Sequence, residues 1–581
     1  MRRFIVGFFA VIGVLVVVFA AGVLFLFLRS RTAALPGNII LTLDLRGGLS
    51  EGPGESSLTR LFVTPKPTLR DFLDGIERGE KDPRVKGLLA FLGDDSLGLA
   101  ETEQVRDAIK EFRKKGKFAI AFADSFGEFS PGTGSYYLAT AFNRIWLQPM
   151  GSIGLTGLDS DVMFFKGTLD LLGIEPDFDK RENFKTAINS FTRSKFTPQH
   201  REEVESLLHS TFRQIVRGIG KGRALSGEAV EEAIDKGPFL ATEALKEKLV
   251  DRLGYREEAI ESARARAGKG ARTVSLKAYL RRAGRPHKKG ARIALVYGVG
   301  LIERGDSGES LLGENAMPAD KVARALRRAA RDKKVRAILF RIDSPGGSVV
   351  GSETIWHAVE EARRHGKPVV VSMGDLAGSG GYYIAVAADR IVAEPATLTG
   401  SIGVFAGKLV IADLLKKLGV TTGSVKLGAN AAMFSTTSNF SPQARARLEA
   451  FLDSVYKGFK ERVAKGRHMT LAAVENVAKG RVWTGAEAKR RGLVDSLGGF
   501  GTAIRLAKSL AKIPPSAPYR LVVFPRRKPL FEELYDRLTG KSGGAGINPK
   551  AFALLASFWR PLAFALDNPG VLTMPQTLEP H

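Results

Sequence analysis

Residues 375–405 read DLAGSGGYYIAVAADRIVAEPATLTGSIGVF, and residues 130–158 read SPGTGSYYLATAFNRIWLQPMGSIGLTGL. The two stretches share, in the same order, a tyrosine pair, an Arg-Ile that follows Asn or Asp, a proline and the tetrapeptide Gly-Ser-Ile-Gly. Further matching blocks on both sides keep the same order and a separation of about 250 residues, which indicates a tandem duplication. Only the second copy has a serine between glycines, Ser379, where the first copy has Thr133.

Each copy alternates short apolar runs with charged stretches of helical period. The runs RAILFRI and PVVVSM are rich in branched residues and read as buried parallel strands. Between them, SETIWHAVEEARRHG has the period of a helix and ends at a glycine. This alternation predicts an α/β layer fold with right-handed crossover connections in each copy.

The matching blocks also set the expected domain boundaries. We expect a first repeat over residues 38–262 and a second repeat over 292–513, joined by a basic segment at 263–291 that reads as a solvated interdomain linker. Residues 514–581 form a C-terminal extension for which the first repeat has no evident counterpart. Its apolar stretch at 551–566 is too short to span a membrane, and it fits a membrane surface, an oligomer contact or packing against the core equally well.

The composition bounds the classes of partner and cofactor. The chain has 581 residues, of which 44% are hydrophobic, and a net charge of +26, which suits either nucleic acid or an anionic membrane surface. No zinc-finger spacing or RNA-binding signature is present, so nucleic acid is not expected. Cysteine is absent, which excludes disulfides and thiol catalysis. Neither a Walker A motif nor HExxH occurs, so we expect no metal and no cofactor.

The N-terminal segment predicts a membrane anchor. Residues 4–28 form an uncharged run of 25 residues, which is long enough to cross a bilayer and longer than the apolar core of a cleaved signal peptide. Arginines flank both ends of the run, so charge alone does not orient it. Residues 1–31 are therefore expected to be a single-pass anchor, with the rest of the chain on the extracytoplasmic side.

Ser379 is the candidate nucleophile. It follows an apolar strand and begins the helical run GYYIAVAADRI, so the unpaired N–H groups of a helix start would stabilise an oxyanion formed on attack by its hydroxyl. The turn Ser344-Pro345-Gly346-Gly347, also between a strand and a helix, exposes further backbone N–H groups. The plainer interpretation of Ser379 is a helix N-cap.

A nucleophilic serine needs a base, and the comparison of the two copies favours a lysine. The chain has seven histidines, and none has a carboxylate in a triad-like setting. Lys185 lies in the first-repeat stretch RENFKTAINSF, and the second repeat has no lysine at the matching position. The first repeat thus lacks the serine and the second lacks the lysine, so the two copies could share one active site. Lys180 is the alternative base, but Lys426 takes its place in the second copy.

In the combination DSPGGSV, GDLAGSGGYY, LTGSIG and FKTA, the chain resembles the long-form signal peptide peptidases, also called protease IV, a family of membrane-anchored bacterial Ser/Lys peptidases. The resemblance covers nearly the whole chain. It implies a crotonase-like or Clp-protease-like α/β fold in each repeat and a bowl-shaped homo-oligomer, a tetramer, on the bilayer. It also implies a location in the bacterial inner membrane with the catalytic domains on the periplasmic side, and signal peptides and other hydrophobic or unfolded peptides as substrates.

The resemblance also implies roles for individual residues. Ser379 matches the nucleophile and Lys185 the general base, while Ser401 matches a serine that orients the lysine amine. The backbone N–H groups of Gly347 and Gly380 match the oxyanion hole. Because Gly-Ser-Ile-Gly occurs in the first repeat as well, Ser401 also fits a plain turn serine.

The sequence therefore predicts a serine endopeptidase with a Ser/Lys dyad. Two alternatives stay open at this point: a crotonase-type acyl-thioester enzyme, which uses a similar oxyanion hole, and a catalytically inactive membrane scaffold. A lysine base predicts activity that rises with pH into the alkaline range, since a free lysine titrates near 10.4.

Overall fold

The computed structural model describes residues 34–52, 66–94, 96–306 and 316–525, together with the short pieces 13–14, 17–18, 21–22 and 571–573. The elements that precede residue 290 are β1 (Ile39–Asp44), α1 (Leu69–Glu80), β2 (Val85–Leu92), α2 (Leu99–Lys114), β3 (Phe118–Ala123), α3 (Thr133–Ala139), β4 (Arg144–Leu147), β5 (Ser152–Ile153), α4 (Lys166–Leu172), β6 (Glu175–Arg181), α5 (Asn189–Thr192), α6 (Pro198–Arg223), α7 (Gly227–Lys236), β7 (Phe239–Leu240), α8 (Ala241–Lys246), β8 (Arg252–Leu253), α9 (Arg256–Ala267), β9 (Arg272–Ser275) and α10 (Leu276–Ala283).

The elements after residue 290 repeat much of this order. They are β10 (Ala291–Val299), β11 (Leu301–Glu303), β12 (Ala316–Pro318), α11 (Ala319–Arg331), β13 (Val335–Ser344), β14 (Gly346–Ser348), α12 (Val349–Arg364), β15 (Val369–Gly378), α13 (Gly380–Ala385), β16 (Arg390–Ala393), β17 (Leu398–Gly400), β18 (Val404–Val410), α14 (Ala412–Lys417), α15 (Pro442–Arg467), α16 (Leu471–Val477), β19 (Val482–Thr484), α17 (Gly485–Arg490), β20 (Ser496–Leu497), α18 (Phe500–Leu510), β21 (Tyr519–Phe524) and β22 (Val571–Thr573).

The first repeat is built on a six-stranded parallel sheet in the order β8-β4-β3-β2-β1-β9. The second repeat is built on an eight-stranded sheet whose main path is β19-β17-β15-β13-β10-β21, with β16 and β20 continuing from β15. The order β20-β16-β15-β13-β10-β21 reproduces the first sheet strand for strand. The predicted mixed α/β architecture and tandem duplication are therefore confirmed.

Two edge strands lie where the sequence suggested a linker and an unmatched tail. The basic segment contributes β9, which pairs in parallel with β1, and the C-terminal extension contributes β21, which pairs in the same way with β10. The interpretation of the basic segment as a solvated linker, and of the extension as lacking any counterpart, was wrong for these residues. Each strand pairs with a partner more than 200 residues away in the sequence.

The two sheets share one hydrophobic core because their side chains alternate between faces. Ile39 and Leu41 of β1 point to the same side as Ile293 and Leu295 of β10, and all four belong to one buried cluster with α18. The opposite face of the first sheet is covered by alanines of α9. Full burial of an aliphatic side chain contributes about 1.5–3 kcal/mol, so this shared layer holds the two repeats against each other.

A second connection between the repeats is a pair of strands beside the core. All seven residues of β6, from the first repeat, pair antiparallel with β18 of the second, from Glu175 opposite Val410 to Arg181 opposite Val404. In the same sheet, β22 lies between β14 and β18, with Leu572 opposite Gly347 and Val571 opposite Phe405. This sheet places the end of β6 next to the residues that precede β18.

The predicted N-terminal anchor at residues 4–28 falls outside the described residues, apart from three helical pairs. Within the described part of the chain, no helix is both long enough and apolar enough to cross a membrane. The apolar stretch at 551–566 also lies outside that part.

Candidate active site

Ser379 occupies the sharp turn between β15 and α13. Its backbone has φ of 52° and ψ of −116°, in the region that non-glycine residues seldom adopt, and a residue held there costs about 1–3 kcal/mol. It has the position of an N-cap, but its side chain makes no capping hydrogen bond. The turn instead directs the buried hydroxyl toward a lysine, so the N-cap interpretation does not account for this serine.

Lys185 is that lysine, and it is fully buried. It follows the end of β6, which the pairing with β18 brings into the second repeat. Its amine donates to the Ser379 hydroxyl at 2.8 Å, to the Ser401 hydroxyl at 2.9 Å and to the Ser401 carbonyl at 3.1 Å. Two residues that the sequence predicted as partners from different repeats are thus in hydrogen-bond contact.

The environment of the amine favours its neutral form. Burial lowers the pKa of Lys185 to about 7, although the charge of Glu203 acts in the opposite direction. A neutral amine can accept the proton of the serine hydroxyl, which an ammonium group cannot. Burial therefore moves the pKa of this amine from the alkaline range of a free lysine toward neutral pH.

Ser401 contacts the amine through both its hydroxyl and its carbonyl. Its backbone also has positive φ, 52°, and its N–H donates to the carbonyl of Arg481 at 2.8 Å. The matching Ser152 of the first repeat instead lies 3.1 Å from the Ser125 hydroxyl and donates to the carbonyl of Gly127 at 3.2 Å. The shared Gly-Ser-Ile-Gly is therefore a turn in both copies, and only the second copy's serine contacts a lysine.

Gly346 and Gly347 form a turn that lies directly over the start of α13. Their φ angles are 106° and 144°, values that a residue with a side chain rarely adopts. A Cβ atom on Gly380 would lie 3.1 Å from the Gly347 nitrogen. The backbone around these two predicted oxyanion residues is thus close together and next to the Ser379 turn. Side chains at these positions would separate them.

Lys180, the alternative base, has a different role. Its amine donates to the carbonyl of Lys185 at 3.1 Å and to the side-chain oxygen of Asn189 at 3.3 Å. Burial lowers its pKa to about 8, yet it makes no hydrogen bond to either site serine. Of the histidines that the structure describes, none is hydrogen-bonded to Ser379.

Sequence reasoning missed Gly480, which limits the space around Lys185. It has φ of 83°, and a Cβ atom there would lie 2.4 Å from the Lys185 nitrogen. The N–H of Phe184 donates to the carbonyl of the preceding Lys479 at 3.1 Å. A glycine also stands at the matching position of the first repeat, Gly237, so comparison of the copies gave no signal for it.

Over the described ranges, no group of three His, Cys, Asp or Glu side chains is arranged to hold a metal ion. The arrangement can perform acyl transfer with protein groups alone. In such a reaction the Ser379 hydroxyl would be the nucleophile, the buried amine would accept its proton, and the adjacent glycine-rich backbone would offer N–H donors to an oxyanion.

Comparisons with known proteins agree with this chemistry. Residues 111–269 and 361–514 match the model of peptidase family S49, one segment in each repeat. Protease 4 of Salmonella typhi is 31% identical over 490 residues, covering 81% of this chain and 76% of its own length. The chloroplastic serine protease SPPA of Arabidopsis thaliana is 32% identical over 501 residues, covering 84% and 71% respectively.

Two further similarities cover less of the chain. A putative signal peptide peptidase SppA of Enterococcus faecium is 35% identical over 209 residues, covering 36% of this chain and 61% of its own length. A solved membrane-bound stomatin-specific protease aligns over 40% of this chain and 99% of its own, with 16% identity and a TM-score of 0.26.

Proposed function

The chain belongs to peptidase family S49 and is a serine peptidase, and from this premise we propose that Ser379 and Lys185 are its catalytic dyad. The observation that carries the proposal is the 2.8 Å hydrogen bond between a fully buried lysine amine and a serine held at positive φ. The acyl-thioester enzyme and the inactive scaffold are not favoured, because relatives that match over 80% of the chain are proteases.

In the proposed mechanism, the Ser379 oxygen attacks a peptide carbonyl while its proton passes to the Lys185 amine. The carbonyl oxygen becomes an oxyanion that the N–H groups of Gly347 and Gly380 stabilise. The Lys185 ammonium then gives its proton to the leaving amine, and the acyl-enzyme forms. Water hydrolyses the acyl-enzyme with Lys185 again as the base. Ser401 keeps the amine directed at the serine throughout.

The proposed substrates are extended apolar peptides, including cleaved signal peptides. The chain's own strand β22 lies antiparallel to Gly346–Ser348, beside the proposed oxyanion glycines, so this edge accepts an extended backbone. The relative from Enterococcus faecium bears the name signal peptide peptidase. Digestion of a synthetic signal peptide by the purified full chain, followed by mass spectrometry, tests the substrate class; fragments must be absent with Ser379→Ala.

A fluorophosphonate probe tests the nucleophile independently of the substrate. The wild-type chain is expected to be labelled on Ser379, and Ser379→Ala is expected to lose the label. Labelling that persists in that variant would refute the assignment of the nucleophile, and peptide fragments without labelling would point to a different hydrolytic site.

The dyad is proposed to form within one chain and the chains to assemble into a ring, the bowl-shaped tetramer that the family resemblance implies. In the first repeat, residues 155–161 match β18, and in the second repeat residues 421–427 match β6, and neither segment is assigned to a strand of the described structure. Residues 421–427 are exposed throughout, with Val425 97% and Leu427 92% accessible. Pairing of 421–427 of one copy with 155–161 of the next would repeat the β6–β18 joint between chains and generate a ring.

Native mass spectrometry tests the assembly. Val425→Pro removes a backbone donor from the exposed segment and is expected to dissociate the oligomer, whereas Val425→Thr keeps the donor and is expected to preserve it.

Mixed oligomers of Ser379→Ala and Lys185→Ala chains test whether the dyad forms within one chain or between chains. An intrachain dyad leaves them inactive, and recovery of a sizeable fraction of activity would place the dyad between chains.

We further propose that residues 4–28 anchor the protein in the bacterial inner membrane with both repeats outside the cytoplasm, and that each repeat has a crotonase-like or Clp-protease-like fold. The length of the uncharged run supports the anchor, and the parallel sheet of each repeat, with its crossover helices, supports the fold. A chain lacking residues 1–31 is expected to leave the membrane fraction and remain active. Protease digestion of intact spheroplasts should degrade the full-length protein.

A further inference from the structure

Glu203 is a buried carboxylate of α6 to which the mechanism above gives no role. Its side chain is 2% accessible. One carboxylate oxygen accepts from the Thr186 hydroxyl at 2.8 Å, and the other accepts from the Val482 N–H at 2.7 Å. Thr186 belongs to the first repeat and Val482 to the second, so the two oxygens of one side chain connect the repeats.

Both partners of Glu203 adjoin the proposed dyad. Thr186 directly follows Lys185, so its hydroxyl fixes the backbone that carries the amine. Val482 follows Arg481, whose carbonyl accepts the N–H of Ser401 at 2.8 Å. Glu203 therefore ties the segment that carries the base to the segment that holds the serine orienting it.

Glu203 is also a source of negative charge for a lysine that has no direct ionic partner. All hydrogen bonds that the Lys185 amine makes in the described structure go to serine oxygens. The carboxylate of Glu203 favours the charged form of that amine, and burial raises the pKa of Glu203 itself to about 7. An ammonium that forms at Lys185 during catalysis would otherwise be isolated in the interior, where a lone charge is costly.

Two positively charged groups act on this carboxylate, and an imidazole lies one turn before it on α6. Arg481 pairs with the neighbouring Glu202 at 2.5 Å and contributes positive charge near Glu203. Lys180 contributes a second positive charge from the end of β6. Burial lowers the pKa of His200, one turn earlier on α6, to about 4, so this imidazole is neutral at neutral pH.

Comparison of the repeats singles out Glu203 in the same way as it singled out Lys185. The first-repeat stretch FTPQHREEVES aligns with FSPQARARLEA, which puts Arg447 at the position of Glu203. Only the copy that contains the lysine contains this carboxylate.

We propose that Glu203 is a positioning residue for proton transfer: it fixes Lys185 through Thr186 and stabilises the ammonium that Lys185 becomes on taking the Ser379 proton. The proposal rests on the assignment of Lys185 as the base. The proton moves from the serine oxygen to the lysine nitrogen as the bond to the substrate carbon forms, and it leaves with the amine product. Glu203 takes no part in this proton transfer, and it acts as a carboxylate above its pKa of about 7.

The test compares three variants of the full chain: Glu203→Gln, Thr186→Val and the control Glu202→Gln. Glu202 is adjacent on the same helix, but its side chain is 56% accessible and pairs with Arg481 rather than with the lysine segment. The measurements are kcat and KM for peptide cleavage, and the rate of Ser379 labelling by a fluorophosphonate from pH 5 to pH 10. Thermal unfolding reports whether each variant is folded.

Glu203→Gln is expected to lower kcat by about 10- to 100-fold with little change in KM. Loss of the carboxylate removes a charge that favours the ammonium, so the rise of the labelling rate with pH should move down by about one pH unit. Thr186→Val should lower kcat, but its labelling rate should rise over the same pH range as in the wild-type chain, because the carboxylate of Glu203 remains. Glu202→Gln should change neither quantity.

An unchanged kcat in Glu203→Gln would overturn the proposal. So would a lower kcat if the labelling rate still rose over the same pH range as in the wild-type chain. Should Glu203→Gln fail to fold, Glu203→Asp takes its place: it keeps the charge, so its pH rise must stay at the wild-type position while kcat falls. A displaced rise in Glu203→Asp would equally overturn the proposal. An incorrect assignment of Lys185 as the base would be recognised separately. In that case Lys185→Ala would still be labelled on Ser379, whichever residue is present at position 203.

Discussion

The amine of Lys185 donates to the hydroxyl of Ser379 across 2.8 Å, although 194 residues separate them in the chain. One residue follows the end of β6 in the first repeat, and the other lies in the turn after β15 in the second. The antiparallel pairing of β6 with β18 closes the distance between the repeats.

Removal of either dyad member is expected to abolish peptide cleavage while leaving the chain folded. Ser379→Ala and Lys185→Ala should each lower kcat by at least 10³-fold, since nucleophile and base act as one unit. Lys180→Met is the matched control, because that amine contacts the carbonyl of Lys185 and not the serine. It should retain at least a tenth of the wild-type kcat. Rates measured with a quenched fluorescent peptide decide the matter, and a Lys185→Ala variant with more than a few per cent activity would exclude Lys185 as the base.

Activity is expected to rise with pH through about 7, where burial places the pKa of Lys185. Only the neutral amine accepts the serine proton, so kcat/KM should climb as the ammonium is lost and then level off. A profile of kcat/KM from pH 5 to pH 10 measures this directly. A rise confined to values above pH 9 would mean that the amine is exposed to water in the working enzyme.

The same burial predicts a pH-dependent cost to stability. The folded-state pKa of Lys185 lies below its unfolded value of about 10.4, so between pH 7 and pH 10 the unfolded chain binds more protons and stability rises with pH. Lys185→Met removes this group. Its gain in the free energy of unfolding over wild type should be largest below pH 7 and shrink toward pH 10. Denaturant unfolding at pH 6, 8 and 10 tests the trend, and a gain independent of pH would contradict it.

Ser401→Ala is expected to lower kcat by about 10- to 100-fold with little effect on KM, because the amine loses one of the oxygens that direct it. Its carbonyl contact with Lys185 survives the change, so activity should not vanish. Ser152→Ala, the same substitution in the matching turn of the first repeat, should leave kcat unchanged. If Ser401→Ala and Ser152→Ala changed kcat equally, Ser401 would have only the structural role of a turn residue.

Gly480→Ala is expected to inactivate the enzyme by displacing Lys185, since its Cβ would lie 2.4 Å from the lysine's backbone nitrogen. Gly366→Ala is the control: this glycine also has positive φ, 72°, but a Cβ there meets no atom within 4 Å. Both substitutions strain the backbone at positive φ, and the contact with Lys185 adds a further loss of stability in Gly480→Ala alone. Loss of kcat only in Gly480→Ala would show that crowding of the lysine is responsible, and equal kcat in the two would contradict it.

Removal of residues 526–581 is expected to lower KM for peptides several-fold, because it deletes the strand that pairs with Gly346–Ser348. A bound segment of the same chain reduces the fraction of molecules open to substrate. Truncation after Thr573 keeps β22 and should leave KM at the wild-type value. Identical KM values for the two truncated chains would exclude competition by the strand.

Much of this site could be predicted because the two repeats of the chain can be compared with each other. Ser379, Lys185 and the glycine turn each occur in one repeat only, so complementary losses indicated a site shared by two copies. The short strands β9 and β21 escaped prediction, because an edge strand of a few residues is defined by its distant partner. Their pairing partners, β1 and β10, are more than 200 residues away in sequence.

Other features depend on three-dimensional contacts that no local pattern encodes. Glu203 lies in a charged helical stretch, HREEVES, whose composition is that of a solvated face. Its burial follows from the packing of α6 between Thr186 and Val482, and Arg447 in the second repeat was the only available signal. The lowered pKa of Lys185 depends likewise on burial of the amine, which the local sequence does not encode.

The pairing of β6 with β18 also has a consequence for synthesis of the chain. Arg181 and Val404 lie opposite each other across roughly 220 residues of sequence, and contacts of such long range form late in folding. A growing chain that has completed only its first repeat contains Lys185 without Ser379. The proposed dyad can therefore form only after the second repeat has been made and β6 has paired with β18, so an incomplete chain would have no peptidase activity of its own.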